Sequence, residues 1–179
     1  VHGKLPTPAE LRAYKAKLKA LRGLPASVKE ALEHLPASSH AMDVMRTGVS
    51  ALGCVLPEKE DHNTPGARDI ADRLLASLGS MLLYWYHWST QGKRINVETD
   101  DDSIGAHFLH LLHGKAPSKE WERAMHTSLN LYAEHEFNAS TFACRVIAGT
   151  GSDLYSAITG GIGALRGPKH GGANEVAFE

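Results

Sequence analysis

Cysteine is scarce in this chain, with two among 179 residues. Cys54 and Cys144 lie far apart and lack the spacing of a metal site. No secretory signal opens the sequence, and the expected setting is the reducing cytoplasm. Long apolar runs are missing too. The strongest candidate, "MLLYWYHWS" at residues 81–89, is too short to cross a bilayer and carries a histidine, so no membrane partner is expected. An excess of one charge is also absent. Nineteen Lys and Arg against twenty Asp and Glu give a net charge of −1, which offers no electrostatic reason to expect nucleic acid or an anionic membrane surface. There are no internal repeats, no low-complexity tracts, and no segment with strand alternation between hairpin turns. What remains is a chain 42% hydrophobic and 22% charged, enough for one substantial core in a soluble globular domain.

The periodicity is helical almost throughout. In "LPTPAELRAYKAKLKALRG", Thr7 is placed as N-cap, Pro8 at the first helical position and Glu10 three residues after the cap, which together make a capping box. Gly23 is expected to end that helix. "ASVKEALEHLP" gives a short amphipathic helix stopped before Pro36, and "AMDVMRTGVSALG" another. "DHNTPG" reads as a linker. After it, Ile70, Leu74, Leu75, Leu78, Leu82 and Leu83 recur at three- and four-residue intervals, so this helix should bury a broad stripe. "STQGKRINVETDDDS" breaks the pattern with a glycine turn, and Asp100 to Asp102 read as a solvated face or helix entry. "IGAHFLHLLHG", a helix opened near Ser118, the long stretch through "AEHEFNASTFACRVIAGTG", and "SDLYSAITGGIGALRG" complete an all-α chain.

Eleven histidines invite a metal hypothesis. His107, His110 and His113 recur every three residues, however, and a helix turns about 300° over that interval, so three rings do not converge. "HEFNA" at His135 is not the H-E-x-x-H zinc helix, because its fifth residue is Ala139. No metal site is expected. These histidines read as interface or core polar contacts, and Tyr84, Trp85, Tyr86 and Trp88 as packing.

Two stretches carry more chemistry. In "GPKHGGAN", Gly167 and Pro168 stop the preceding helix, while Gly171 and Gly172 remove side chains that would crowd a ligand arriving at His170. Asn174 can bond nearby backbone as the chain turns helical again. The same spacing also describes an ordinary inter-helix connection with a surface histidine. In "AEHEFNAST", His135, Glu136 and Asn138 stand among apolar and small residues, in a buried helix or a break within one. Burying such groups costs free energy unless they pair with one another or with a ligand. A purely structural network satisfies that demand equally well.

Together, "AEHEFNAST" and, some 35 residues later, "GALRGPKHGGANE" resemble the paired motifs of the citrate synthase family. "HAMDVMRTGVSALG" (with Ala41 where the family usually has proline) and "DDDSIGAHFLHLLHG" extend the resemblance over essentially the whole chain, most of all to the 2-methylcitrate synthase branch. The resemblance implies a condensation in which an acyl-coenzyme A loses an α-proton, its enol attacks the keto carbon of oxaloacetate, and the thioester is hydrolysed. His170 matches the family residue that donates a hydrogen bond to the thioester oxygen. His135 matches one that hydrogen-bonds oxaloacetate, with Asn138 a weaker second. The expected partners are oxaloacetate, propionyl- or acetyl-coenzyme A, and a second copy in a homodimer; coenzyme A enters as substrate, and no permanently bound cofactor is expected. "MDVMRTGVSALG" and the His135 helix match parts of the family's helical dimer interface. The family's general-base aspartate, the histidine on the oxaloacetate carbonyl and the carboxylate-binding arginines correspond to sequence beyond Glu179. By this resemblance, residues 1–179 are an internal fragment of a large helical domain, without the N-terminal segment, the small domain and the C-terminal part. The rival from another class is a non-catalytic helical oligomerisation module.

Overall fold

The computed structural model describes residues 3–59, 64–133 and 136–173. Among them are eight helices and no strand: α1 (Pro8–Ala20), α2 (Ala26–Glu33), α3 (Ala41–Val55), α4 (Thr64–Gln91), α5 (Ile104–His113), α6 (Lys119–Tyr132), α7 (Ala139–Ala148) and α8 (Leu154–Leu165). The all-α expectation holds. At 28 residues, α4 runs about 42 Å and packs against α1, α2, α3, α5 and α8. The core forms around it from Val28 and Leu32 of α2, Val44, Val49 and Leu52 of α3, Met81, Tyr84 and Trp85 of α4, and Tyr155 of α8. α6 packs on α5 and α7 on α8, and neither α6 nor α7 has a buried residue.

Local chemistry explains most boundaries. Thr7 and Glu10 close the capping box that starts α1, and Ser103, Ser118, Asn138 and Asp153 cap α5 to α8 through side-chain oxygens, each satisfying a backbone N–H that the first helical turn leaves open. Three expectations need correction. α1 ends at Ala20 with Leu21 as C-cap; Gly23 instead lets the backbone pass close to Glu98, whose Oε1 would lie 2.6 Å from an added Cβ. Of "DHNTPG", residues 61–63 lie outside the described residues, and Thr64, Pro65 and Gly66 belong to α4, proline being tolerated in a first turn where its missing N–H has no helical partner. Leu75, assigned to the apolar stripe, is 46% exposed, because the stripe facing the core is narrower than the run of leucines.

The aromatic cluster of α4 packs, and it also bonds. Tyr84 donates to Glu33 Oε1 at 2.6 Å, Trp88 to the Glu33 carbonyl at 3.0 Å, and Trp85 to the Leu35 carbonyl at 3.3 Å. Arg94 grips the Glu33 carboxylate with two bonds of 2.8 Å, and these donors hold its carboxyl down to about 2. The end of α2 is thereby fixed to the middle of the fold.

Candidate functional site

The two motifs singled out in the sequence meet at α7 and the end of α8. Between α6 and α7 the chain breaks sharply, with Glu136 and Phe137 both at positive φ, 48° and 45°. Two successive non-glycine residues in the left-handed region are strained, by about 1–3 kcal/mol each. This break settles the choice between a buried helix and an interrupted one. It also corrects the burial expectation: Glu136 is exposed, and Phe137 projects fully from the surface at 103% exposure. His135 itself lies outside the described residues, as does Asn174. Asn138 is partly buried and caps α7, its Oδ1 accepting from Thr141 N–H at 2.8 Å.

Past α8 the chain folds back on the helix it has just left. Gly167 C=O accepts from the backbone N–H groups of His170 at 2.9 Å and Gly172 at 3.2 Å. An added Cβ on Gly171 would run into the Leu165 carbonyl and side chain, and one on Gly172 would sit 3.2 Å from Gly167 O. The glycines therefore do more than leave room for a ligand: they let the turn lie directly on the last turn of α8. His170 emerges half-buried, and its Nε2 is 2.8 Å from Ser140 Oγ in the first turn of α7.

That contact joins residues thirty positions apart and fixes the imidazole from one edge. If the serine hydroxyl donates to Nε2, the proton of a neutral ring lies on Nδ1. A neutral imidazole held in one tautomer can stabilise an oxygen that gains negative charge during a reaction. Ser140 stands inside the motif "AEHEFNAST", yet the sequence reading passed over it as one of several small residues. The available signal was its position in the same motif as His135; its partner becomes visible only when α7 and α8 are packed together.

The triple-histidine stretch lies elsewhere, and its rings part company. His107 is 1% exposed, with Nε2 3.0 Å from Ser80 Oγ and Nδ1 3.0 Å from Thr99 Oγ1. Burial first, then the neighbouring Arg22 cation, push its pKa down to about 4. His110 bonds Asp101 at 2.8 Å, and His113 is exposed. Within the acidic cluster, Asp100 and Asp102 pair with Lys19 on the surface, whereas Asp101 is only 13% exposed. Two cavities, of about 750 Å³ beside Tyr155 and Arg73 and about 440 Å³ beside Lys29 and Asn96, lie away from His170 and Ser140.

The family model for citrate synthase, C-terminal domain, matches residues 1–179. The chain is 60% identical to the 2-methylcitrate synthase of Shewanella oneidensis over 179 residues, all of this chain and 47% of that protein. It is 38% identical to the citrate/2-methylcitrate synthase of Bacillus subtilis over 178 residues, 99% of this chain and 48% of that one. Among solved structures, the citrate synthase of Thermoplasma acidophilum, in ternary complex with carboxymethyl coenzyme A and oxaloacetate, superposes with a TM-score of 0.88 at 34% identity, covering 98% of this chain and 46% of that one. The chain thus spans about half the length of the curated relatives it matches.

Proposed function

Because the chain belongs to the citrate synthase family, we propose that it forms part of an enzyme that condenses propionyl-coenzyme A with oxaloacetate and water, releasing 2-methylcitrate and coenzyme A. The observation that carries this reading is the meeting of the two motifs, with His170 Nε2 seated on Ser140 at the start of α7.

Each step sets a physical demand. Removing the α-proton of the thioester puts charge on its oxygen, and His170 donates the hydrogen bond that stabilises it. Ser140 keeps the ring oriented and its tautomer fixed while that charge forms. The enol then attacks the keto carbon of oxaloacetate, a dianion that His135 and, more weakly, Asn138 hold by hydrogen bonds. The proton-abstracting carboxylate and the arginines for the substrate carboxylates come from polypeptide outside residues 1–179, which act as a fragment of the large helical domain. A second copy completes the enzyme. In support, Trp121, Leu131, Tyr132, Phe142 and Val146 on α6 and α7 are 54–75% exposed, a concentration of apolar surface that marks contact with other polypeptide.

The test is His170→Ala in the intact enzyme. Removing a donor from a developing oxyanion should lower kcat by roughly 10²- to 10⁴-fold, with the melting temperature little changed because the ring is half-buried and lies outside the core. Near-normal turnover in this variant would remove His170 from the mechanism.

A further inference from the structure

Resting on the His170 reading above, we infer that Asp43 of α3 and Arg166 at the end of α8 are a positioning pair that sets the His170 turn at its working distance from α7. Arg166 is the C-cap of α8, the residue immediately before the turn. Its Nε lies 2.9 Å from Asp43 Oδ1 and 3.1 Å from Oδ2. Arg46, one turn along α3, brings a second guanidinium nitrogen to 3.2 Å from Oδ1. That oxygen is buried and accepts no aligned hydrogen bond among the described residues, so the two cations are what compensates its charge.

The pair sits where it controls geometry. α3 and α8 pack antiparallel and are pinned at both ends. At one, a Cβ on Gly53 would lie 2.8 Å from Tyr155 Cβ, so a glycine is needed where α3 meets Tyr155. At the other stands the Asp43–Arg166 contact. The Gly167 carbonyl that receives His170 N–H belongs to the very next residue, and Gly171 rests on Leu165. The turn therefore moves with the end of α8. His170 is then held from two directions, through its ring by Ser140 on α7 and through its backbone by α8, whose end Asp43 anchors to α3.

In this chain Arg166 is 44% exposed, and an ion pair so open to water adds little to stability. Its effect on reaction geometry is larger, because a misplacement of about 1 Å can cost about 10²-fold in rate. In the intact enzyme, Arg166→Gln should lower kcat about 10- to 100-fold, leave KM for oxaloacetate and acyl-coenzyme A within about 2-fold, and shift Tm by less than about 3 °C. Asp43→Asn should do the same, and the double variant should be no worse than either single one. Arg166→Lys, which keeps the charge, should recover most of the turnover. Added to His170→Ala, Arg166→Gln should cost nothing further, because its effect passes through that ring. Full turnover in Arg166→Gln beside a crippled His170→Ala would overturn the inference and leave the His170 reading intact. A raised KM for one substrate at unchanged kcat would make Arg166 a ligand contact, and a loss of turnover that tracks a loss of Tm would make the pair merely structural; either overturns it. Turnover surviving in His170→Ala would overturn the reading beneath the inference and the inference with it.

Discussion

His107 and His170 show how one residue type takes two roles according to what surrounds it. His170 is half-buried at the edge of the fold, with Ser140 Oγ against its Nε2. His107 is enclosed, with a hydroxyl on each nitrogen, and burial together with Arg22 holds its pKa near 4 against the favourable pull of Asp101. Its folded-state pKa lies below the ordinary value of 6.5, so the unfolded chain takes up a proton at a pH where the folded chain does not. The stability this protects is fully present above about pH 6.5 and is lost as pH falls through about 4, in total on the order of 3 kcal/mol. Denaturant melts of the intact protein between those limits should therefore show a falling midpoint, with a shallower fall in His107→Asn. Equal slopes for the two proteins would mean that His107 is not buried neutral. Spacing alone was enough to show that the rings of His107, His110 and His113 diverge. What each ring meets was hidden, because Ser80 lies 27 residues away from His107 and a helical pattern says nothing about the element across from it.

At the scale of helices, the positions of the two site motifs depend on glycines that look costly when read singly. Gly160 and Gly161 stand within α8, where each gives up about 1 kcal/mol of helix propensity relative to alanine. Packing accounts for both. An added Cβ on Gly160 would strike Ile147 Cδ1, and one on Gly161 would strike Cys144 Sγ and lie 3.5 Å from the Ser140 carbonyl. Removing those β-carbons brings α7 against α8 closely enough for Ser140 to reach His170. Gly161→Ala should thus destabilise the intact protein by about 1–3 kcal/mol through overpacking and lower turnover as well, because Ser140 moves with α7; a more stable variant with normal turnover would show that the helices have slack. The helices themselves were largely legible. The capping box of Thr7 and Glu10, the Ser118 start and the amphipathic runs are local signals, and each acts within a few residues. The end of α1 was misplaced at Gly23, because the helix stops at Ala20 with Leu21 as its C-cap, and neither residue is a local stop signal. The break before α7 was legible as one of two possibilities, and the strained pair Glu136 and Phe137 decided it.

For the whole molecule, the question is which acyl group the enzyme proposed above would prefer, and the helical framework does not answer it by itself. The Shewanella relative at 60% identity is a 2-methylcitrate synthase, the Bacillus relative at 38% is a citrate/2-methylcitrate synthase, and the Thermoplasma structure at 34% is a citrate synthase; one fold carries all three names. Propionyl and acetyl differ by one methylene, whose burial is worth only about 0.8 kcal/mol. A pocket that merely accepts the longer chain therefore still admits the shorter one, and strong rejection of acetyl would require contacts that tighten in the transition state. One methylene in an apolar pocket typically discriminates by about 10- to 200-fold. On oxaloacetate-saturated intact enzyme, kcat/KM for propionyl-coenzyme A should exceed that for acetyl-coenzyme A by a factor in that range. An equal or higher value for acetyl-coenzyme A would replace the 2-methylcitrate reading with citrate synthase. The roles proposed for His170, Ser140 and the Asp43–Arg166 pair would stand in either case, since the proposed reaction calls for the same donor at the enol oxygen whichever acyl group is used.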